Sequence, residues 1–145
     1  MATVELNFSA RTAHVRTVRQ VAVSLARRSG VDEQYLEEVR LAVGEACGLV
    51  VALHERYCPD APVAVAIEDS AGLTVSIRSD VALTPARGRD AVEVVSAAAG
   101  QDSGELPAAA SLAVVWELVP RLDLITSEDG VSLTMVWPAG RPGGG

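Results

Sequence analysis

The chemistry-bearing residues of this chain gather in two short stretches. In the first, Ala13-His14-Val15-Arg16-Thr17-Val18-Arg19-Gln20, the side chains of Arg16, Arg19 and Gln20 fall at i, i+3 and i+4. On a helix these positions share one face. A guanidinium grips a carboxylate through two parallel hydrogen bonds, and arginine is common where interfaces concentrate their binding energy. With Arg27 and Arg28 these residues form the densest basic group in the chain. They read as a protein-binding face; an ordinary solvated helix face is the competing reading. The second stretch, Leu41-Ala42-Val43-Gly44-Glu45-Ala46-Cys47, sets Glu45 between Leu41 and Leu49 at i±4, an apolar flank for a carboxylate. Taken alone, such a residue reads as a surface or cap-pairing glutamate. The two cysteines, Cys47 and Cys58, suggest neither a disulfide framework nor a zinc site. Cys47 lies inside an apolar helical pattern and reads as core. Cys58 precedes Pro59 in a turn.

The elements that must position these residues follow from periodicity. Thr3 to Phe8 alternates, with Val4, Leu6 and Phe8 on one side, as a half-buried strand does. A helix is expected to about Arg28, stopped by Gly30. Asp32 is placed to cap a second helix running to about Glu55, with Leu36, Val39, Val43, Cys47 and Val50 on its buried face. Strands at Val63–Glu68 and Leu73–Arg78 flank an Asp69-Ser70-Ala71-Gly72 turn and form a hairpin. Ser79 to Arg89 reads as loop. Helices are expected over Asp90–Ala99 and Ala108–Leu118, around a polar Gly100–Pro107 loop. A second hairpin joins Leu122–Thr126 to Val131–Trp137 through Glu128-Asp129-Gly130. Strands in hairpins and helices in groups make an α+β two-layer sandwich: a mixed, mostly antiparallel sheet with helices on one face. One domain over 1–138 is expected, with a flexible tail over 139–145.

Composition narrows the function class. The chain has 145 residues, 49% of them hydrophobic and only 3% aromatic, so one core built from Val, Leu, Ala and Ile is expected. A net charge of −7 disfavours nucleic acid as a partner. The N-terminus has no apolar run of the signal-peptide kind, and no stretch is long enough to span a membrane. A soluble cytoplasmic protein is the expectation.

The stretch around Glu45, with the order of elements from Thr3 to Trp137, resembles the anti-sigma-factor serine kinases of the GHKL ATPase class. That family carries Glu-Ala-x-x-Asn on this helix, followed by a His. The resemblance implies that Glu45 matches a general base acting on a substrate serine. It also implies that the position four residues on holds the magnesium of ATP. Here that position is Leu49, and magnesium demands oxygen ligands. The family's His arrives one place late, as His54 after Leu53. The family's Asp-x-Gly-x-Gly, whose Asp binds adenine, is matched by Ser79-Asp80-Val81-Ala82-Leu83: Ser79 replaces the Asp, and Val81 and Leu83 replace the glycines. Asp80 restores an Asp only with a one-residue shift. The family's phosphate-binding Gly-Leu-x-Leu helix start is matched by Ala109-Ala110-Ser111-Leu112, where Ala and Ser stand for glycine.

The expectation is therefore a degenerate member. It would be an anti-sigma-factor-like regulator, binding a sigma factor, an anti-anti-sigma protein or both, and lacking productive ATP binding. In the family an arginine of the first helix contacts both partners, and Arg16 matches it; Arg19 and Gln20 complete the implied face. The family also dimerises through its sheet, for which strand Thr3–Phe8 is a candidate. Two alternatives stand: an active serine kinase that uses ATP and magnesium with Glu45 as base, and an unrelated α+β module sharing only the helix pattern.

Overall fold

The apolar residues of the hairpins align in register. In this computed structural model, which describes residues 2–9, 12–100 and 108–140, Val65 pairs with Ile77, Ile77 with Leu133 and Leu133 with Leu124. All four are buried. They form one ladder across strands β2 (Val63–Asp69), β3 (Gly72–Ser79), β6 (Gly130–Pro138) and β5 (Arg121–Ser127). Two further strands, β1 (Ala2–Phe8) and β4 (Ala86–Arg87), complete a sheet of order β1-β2-β3-β6-β5-β4. Every pairing is antiparallel, which corrects the expected mixed sheet. The β2–β3 and β5–β6 strands are joined by tight turns and can pair only this way; β1–β2 and β4–β5 are each joined through two α-helices, and β3 meets the non-consecutive β6. Strand β4 falls inside the stretch expected to be loop. Two residues at a sheet edge carry no period by which a sequence could reveal them.

The helices α1 (Thr12–Arg28), α2 (Leu36–Tyr57) and α3 (Gly88–Ala99) pack on the face of the sheet that carries the ladder, and α4 (Ala108–Leu118) packs against α2 and α3. Residues of the opposite face, such as Ala64, Ala66, Ser76 and Thr134, are only half-buried. Gly30 ends α1 at φ +88°, a conformation glycine takes without a Cβ clash. Asp32 does not cap α2 as expected. It precedes a 3₁₀ turn at Glu33–Tyr35 and makes no side-chain cap bond, so α2 begins only at Leu36. All five expected core positions of α2 are buried. Each such aliphatic side chain contributes about 1.5–3 kcal/mol of burial, so the stripe fixes how α2 rotates about its axis. That rotation decides where Glu45 and Leu49 point.

Ala139 and Gly140, the first residues of the expected tail, bond to Ala71 and Gly30 through their amides. The rest of that tail and most of the expected Gly100–Pro107 loop lie outside the described residues. Among the described residues, no helix is long and apolar enough to cross a membrane.

Candidate functional site

The positions matched to the nucleotide-binding motifs fall into two small clusters, each closed by side chains of this chain. The first lies where β3 ends. Ser79 is the last residue of β3 and is 4% exposed. Gly130, at φ +139°, lets β6 start against the Ser79 carbonyl; a Cβ there would collide with that oxygen. The Ser79 hydroxyl lies 2.6 Å from Nε2 of His54, which is completely buried. Nδ1 of His54 lies 3.0 Å from the Ala61 carbonyl. A carbonyl only accepts, so Nδ1 carries the hydrogen. In the neutral ring Nε2 then accepts from the Ser79 hydroxyl, whose oxygen in turn accepts from the Val81 amide at 3.2 Å. One imidazole thus ties the C-terminal end of α2, the turn at Ala61 and the exit of β3. Val81 is buried, and Leu83 is half-buried with its amide bonded to the Ser127 carbonyl. Asp80 is exposed and does not replace Ser79.

The second cluster lies between α2 and α4. Glu45 is half-buried, and its Oε2 accepts a hydrogen bond from the Ser111 hydroxyl at 2.9 Å. Ser111 is itself 3% exposed, held down by the packing of α4 on α2. A serine of the expected phosphate-binding turn therefore meets the carboxylate expected to act as base. Leu49, one turn further on α2, is 2% exposed and belongs to the core. It offers no oxygen and faces apolar neighbours. These residues do not supply the donor set of a magnesium-nucleotide: an apolar side chain stands at the metal position, and the two hydroxyls are committed internally. Among the described residues no group of three or more His, Cys, Asp or Glu side chains is arranged to hold a metal.

The arginine face lies on α1 and reaches α2 beside the second cluster. Arg16 and Gln20 are exposed on α1, and Arg19 between them is half-buried. Its stem crosses α2 at Gly44. Arg27 approaches Glu33 at 3.8 Å, a highly exposed pair of little energetic weight. Cys47 is buried beneath this region. Burial pushes its thiol up to about 12, opposed by the charge of Arg19. Burial, and then the charge of Asp80, pushes the half-exposed Cys58 thiol up as well.

Sequence reading placed Glu45, Leu49, Ser79, Val81, Leu83 and Ser111 on the family's motifs but missed that His54 closes the first cluster. The signal was present: His54 continues the apolar stripe of α2 at four residues beyond Val50. A polar residue on a buried stripe needs a partner, and Ser79 is that partner.

Comparison with known proteins shows the family and the fold. The family model described as a histidine kinase-like ATPase domain matches residues 8–137. No curated protein matches the chain. Among solved structures, the chain is similar to the crystal structure of the RsbU and RsbW domains of Rv1364c from Mycobacterium tuberculosis. The sequence identity is 16%, the TM-score is 0.63, and the match covers 96% of this chain and 33% of that one. The chain thus spans about a third of the length of that relative.

Proposed function

Because the chain belongs to the histidine kinase-like ATPase domain family, we propose that it is a transcription regulator of the anti-sigma, partner-switching kind. It binds a sigma factor, an anti-anti-sigma protein or both, through the α1 face of Arg16, Arg19 and Gln20. It acts in the cytoplasm and without productive ATP binding. The observation that carries this reading is the internal closure of the motif positions: Leu49 in the core, Ser79 bonded to His54, and Ser111 bonded to Glu45. Where a nucleotide is given up, the surface of the fold is what remains to act. A homodimer through the sheet belongs to the same proposal; among the described residues β1 pairs with β2 alone and stands at the sheet edge.

Two measurements test this. Calorimetric titration with ATP and magnesium is expected to show no binding; micromolar affinity refutes the loss of nucleotide. Pull-down of purified sigma factors and anti-anti-sigma proteins is expected to yield a partner whose binding falls roughly tenfold or more in Arg16→Ala, as for a charged interface anchor. Incubation of that partner with labelled ATP is expected to give no phosphoserine. Transfer that disappears in Glu45→Ala would establish the active kinase instead.

A further inference from the structure

Helix α4 carries too little polarity for the surface it shows. Apart from the indole of Trp116, its only polar side chains are Ser111 and Glu117, and Ser111 is buried against Glu45. Its exposed positions Ala109 and Ala113 are apolar, and Trp116 is only half-buried. A surface helix ordinarily turns polar residues outward, and an exposed apolar stretch marks a contact surface. Inward, α4 packs on α2 and α3. Outward, the two helices α3 and α4 enclose a groove of about 390 Å³ lined by Val92, Leu112, Ala113 and Trp116. Each helix also brings a carboxylate to it, Glu93 from α3 and Glu117 from α4. Among the described residues the ion pairs join Arg27 to Glu33 and Arg40 to Glu37, so neither groove carboxylate is engaged. The groove has one cation, Arg89, whose guanidinium carbon lies 5.8 Å from the centre of the Trp116 ring. A ring face attracts a cation, so that charge is turned to the tryptophan. The lining is therefore apolar with a negative excess, and charge complementarity selects a cationic occupant. The intervening segment 101–107 carries Asp102 and Glu105 and no basic residue, so charge does not favour it for that role.

We propose that the α3–α4 groove is a docking site for a basic amphipathic segment of a second protein. An apolar side chain of that segment enters between the helices against Trp116, and Arg or Lys side chains on either side of it reach Glu93 and Glu117. An amphipathic helix laid into an apolar groove makes contacts of this kind, and tryptophan is enriched where such interfaces concentrate their energy. The site goes beyond the α1 reading and does not depend on it. No residue of α1 lines the groove, and α1 packs instead on α2 and the sheet. The α1 face offers positive charge, whereas this groove offers negative charge.

The test is selection from a displayed library of random peptides on the intact chain, run in parallel on Ala113→Gln. Ala113 is exposed, so glutamine there suits the helix and fills the groove without entering the core. Peptides enriched on wild type alone are expected to carry Lys or Arg around Leu, Ile or Phe. A tryptophan-free peptide of that set is then titrated while tryptophan emission is followed. Trp137 is 1% exposed, so the change reports Trp116 and is expected to vanish in Trp116→Phe. Affinity is expected to weaken with salt and to fall roughly tenfold in the double variant Glu93→Gln, Glu117→Gln. Glu128→Gln, which removes an exposed carboxylate outside the groove, is expected to leave it unchanged. Arg89→Ala bares the ring and removes the competing cation, so it is expected to tighten binding several-fold, which loss of structure would not do. Circular dichroism checks that each variant is folded. The site is overturned if no peptide separates wild type from Ala113→Gln, if the separating peptides lack basic residues, or if Glu128→Gln weakens them as much as the double variant. Weaker binding in Arg89→Ala also overturns it. Self-association of the chain that Ala113→Gln abolishes puts a second copy in the groove and overturns a foreign partner. The α1 reading fails separately: Arg16→Ala is expected to leave these peptides bound, and their loss there assigns them to α1 and overturns the groove.

Discussion

His54 and Ser79 offer the sharpest test of the closed first cluster, because each is the other's buried partner. His54→Ala removes the bond to the Ala61 carbonyl and the bond from the Ser79 hydroxyl. Two such bonds are worth about 1 kcal/mol each, and leaving the buried Ser79 hydroxyl without its acceptor costs about 1–3 kcal/mol more. The vacated imidazole volume adds a cavity term. The sum is about 3–5 kcal/mol, a large share of the roughly 5–15 kcal/mol that holds a domain folded. Ser79→Ala strands Nε2 and the Val81 amide, for about 1–3 kcal/mol. The shared hydrogen bond makes the two losses overlap, so the double variant is expected to cost about 1–2 kcal/mol less than their sum. Urea denaturation of the four proteins at neutral pH measures this coupling, provided the m-values stay equal. A cycle additive to within about 0.3–0.5 kcal/mol would refute the bond and, with it, the structural assignment of Ser79.

Four further outcomes are expected. Leu49→Asn restores the family's metal-binding residue type at a core position, so it is expected to cost about 2–4 kcal/mol in urea melts. It should gain no calorimetric binding of magnesium-ATP; micromolar binding would show that Leu49 alone blocks the site. Ser111→Ala is expected to cost about 1–2 kcal/mol by removing the hydroxyl donated to Glu45; an unchanged melting midpoint would remove that bond from the account. The Cys47 thiol, pushed by burial from 9.0 to about 12, gives a pH test. Below the ordinary thiol range both folded and unfolded chains hold the proton, and the contribution is present in full. Between 9.0 and about 12 the unfolded chain releases its proton first, so stability falls as pH rises. The slope reaches about 1.4 kcal/mol per pH unit. Cys47→Ala is expected to flatten the stability profile above pH ~9, the unfolded thiol range; parallel profiles for the two proteins would refute the buried-thiol assignment. In the native chain a thiol reagent is expected to modify Cys58 before Cys47.

Most of the fold was legible because its elements are long and strongly patterned. The alternation of β2, β3, β5 and β6 marked those strands to within a residue, and the stripe of α2 marked its end to within two, while its start lies three residues beyond the first position after Asp32. What was not legible depended on contacts between distant residues. The two-residue β4 exists because Ala86 and Arg87 meet Thr126 and Ile125, not because of their own propensity. Asp32 offers a capping side chain, yet the chain enters α2 through a 3₁₀ turn, and the cap goes unused. At the site, comparison of motifs identified which residues differ from the family; it could not say what the new residues do. The bond from Ser111 to Glu45 spans 66 residues and that from Ser79 to His54 spans 25. Local periodicity marks His54 as buried, but it does not say which distant residue it meets.

Those two bonds bear on why the substitutions at the motif positions belong together. A hydroxyl at Ser79 without His54 would be a buried group short of an acceptor, and a histidine in the apolar stripe of α2 without Ser79 would be equally unsatisfied. Each is tolerable only with the other. The same holds less strictly for Ser111 and Glu45, where the carboxylate is half-buried and part of its solvation comes from water. The first pair also sets a barrier to recovering the family's pattern. Returning an Asp at position 79 would place a carboxylate against a buried imidazole and the Val81 amide in space sized for a hydroxyl. Restoring Leu49 to Asn would open the core beside it. A single return to the family's residue type therefore destabilises before it can restore a ligand. The physical consequence is a division of the fold: a closed interior where the motif positions lie, and an α1 surface where Arg16 and Gln20 stand exposed.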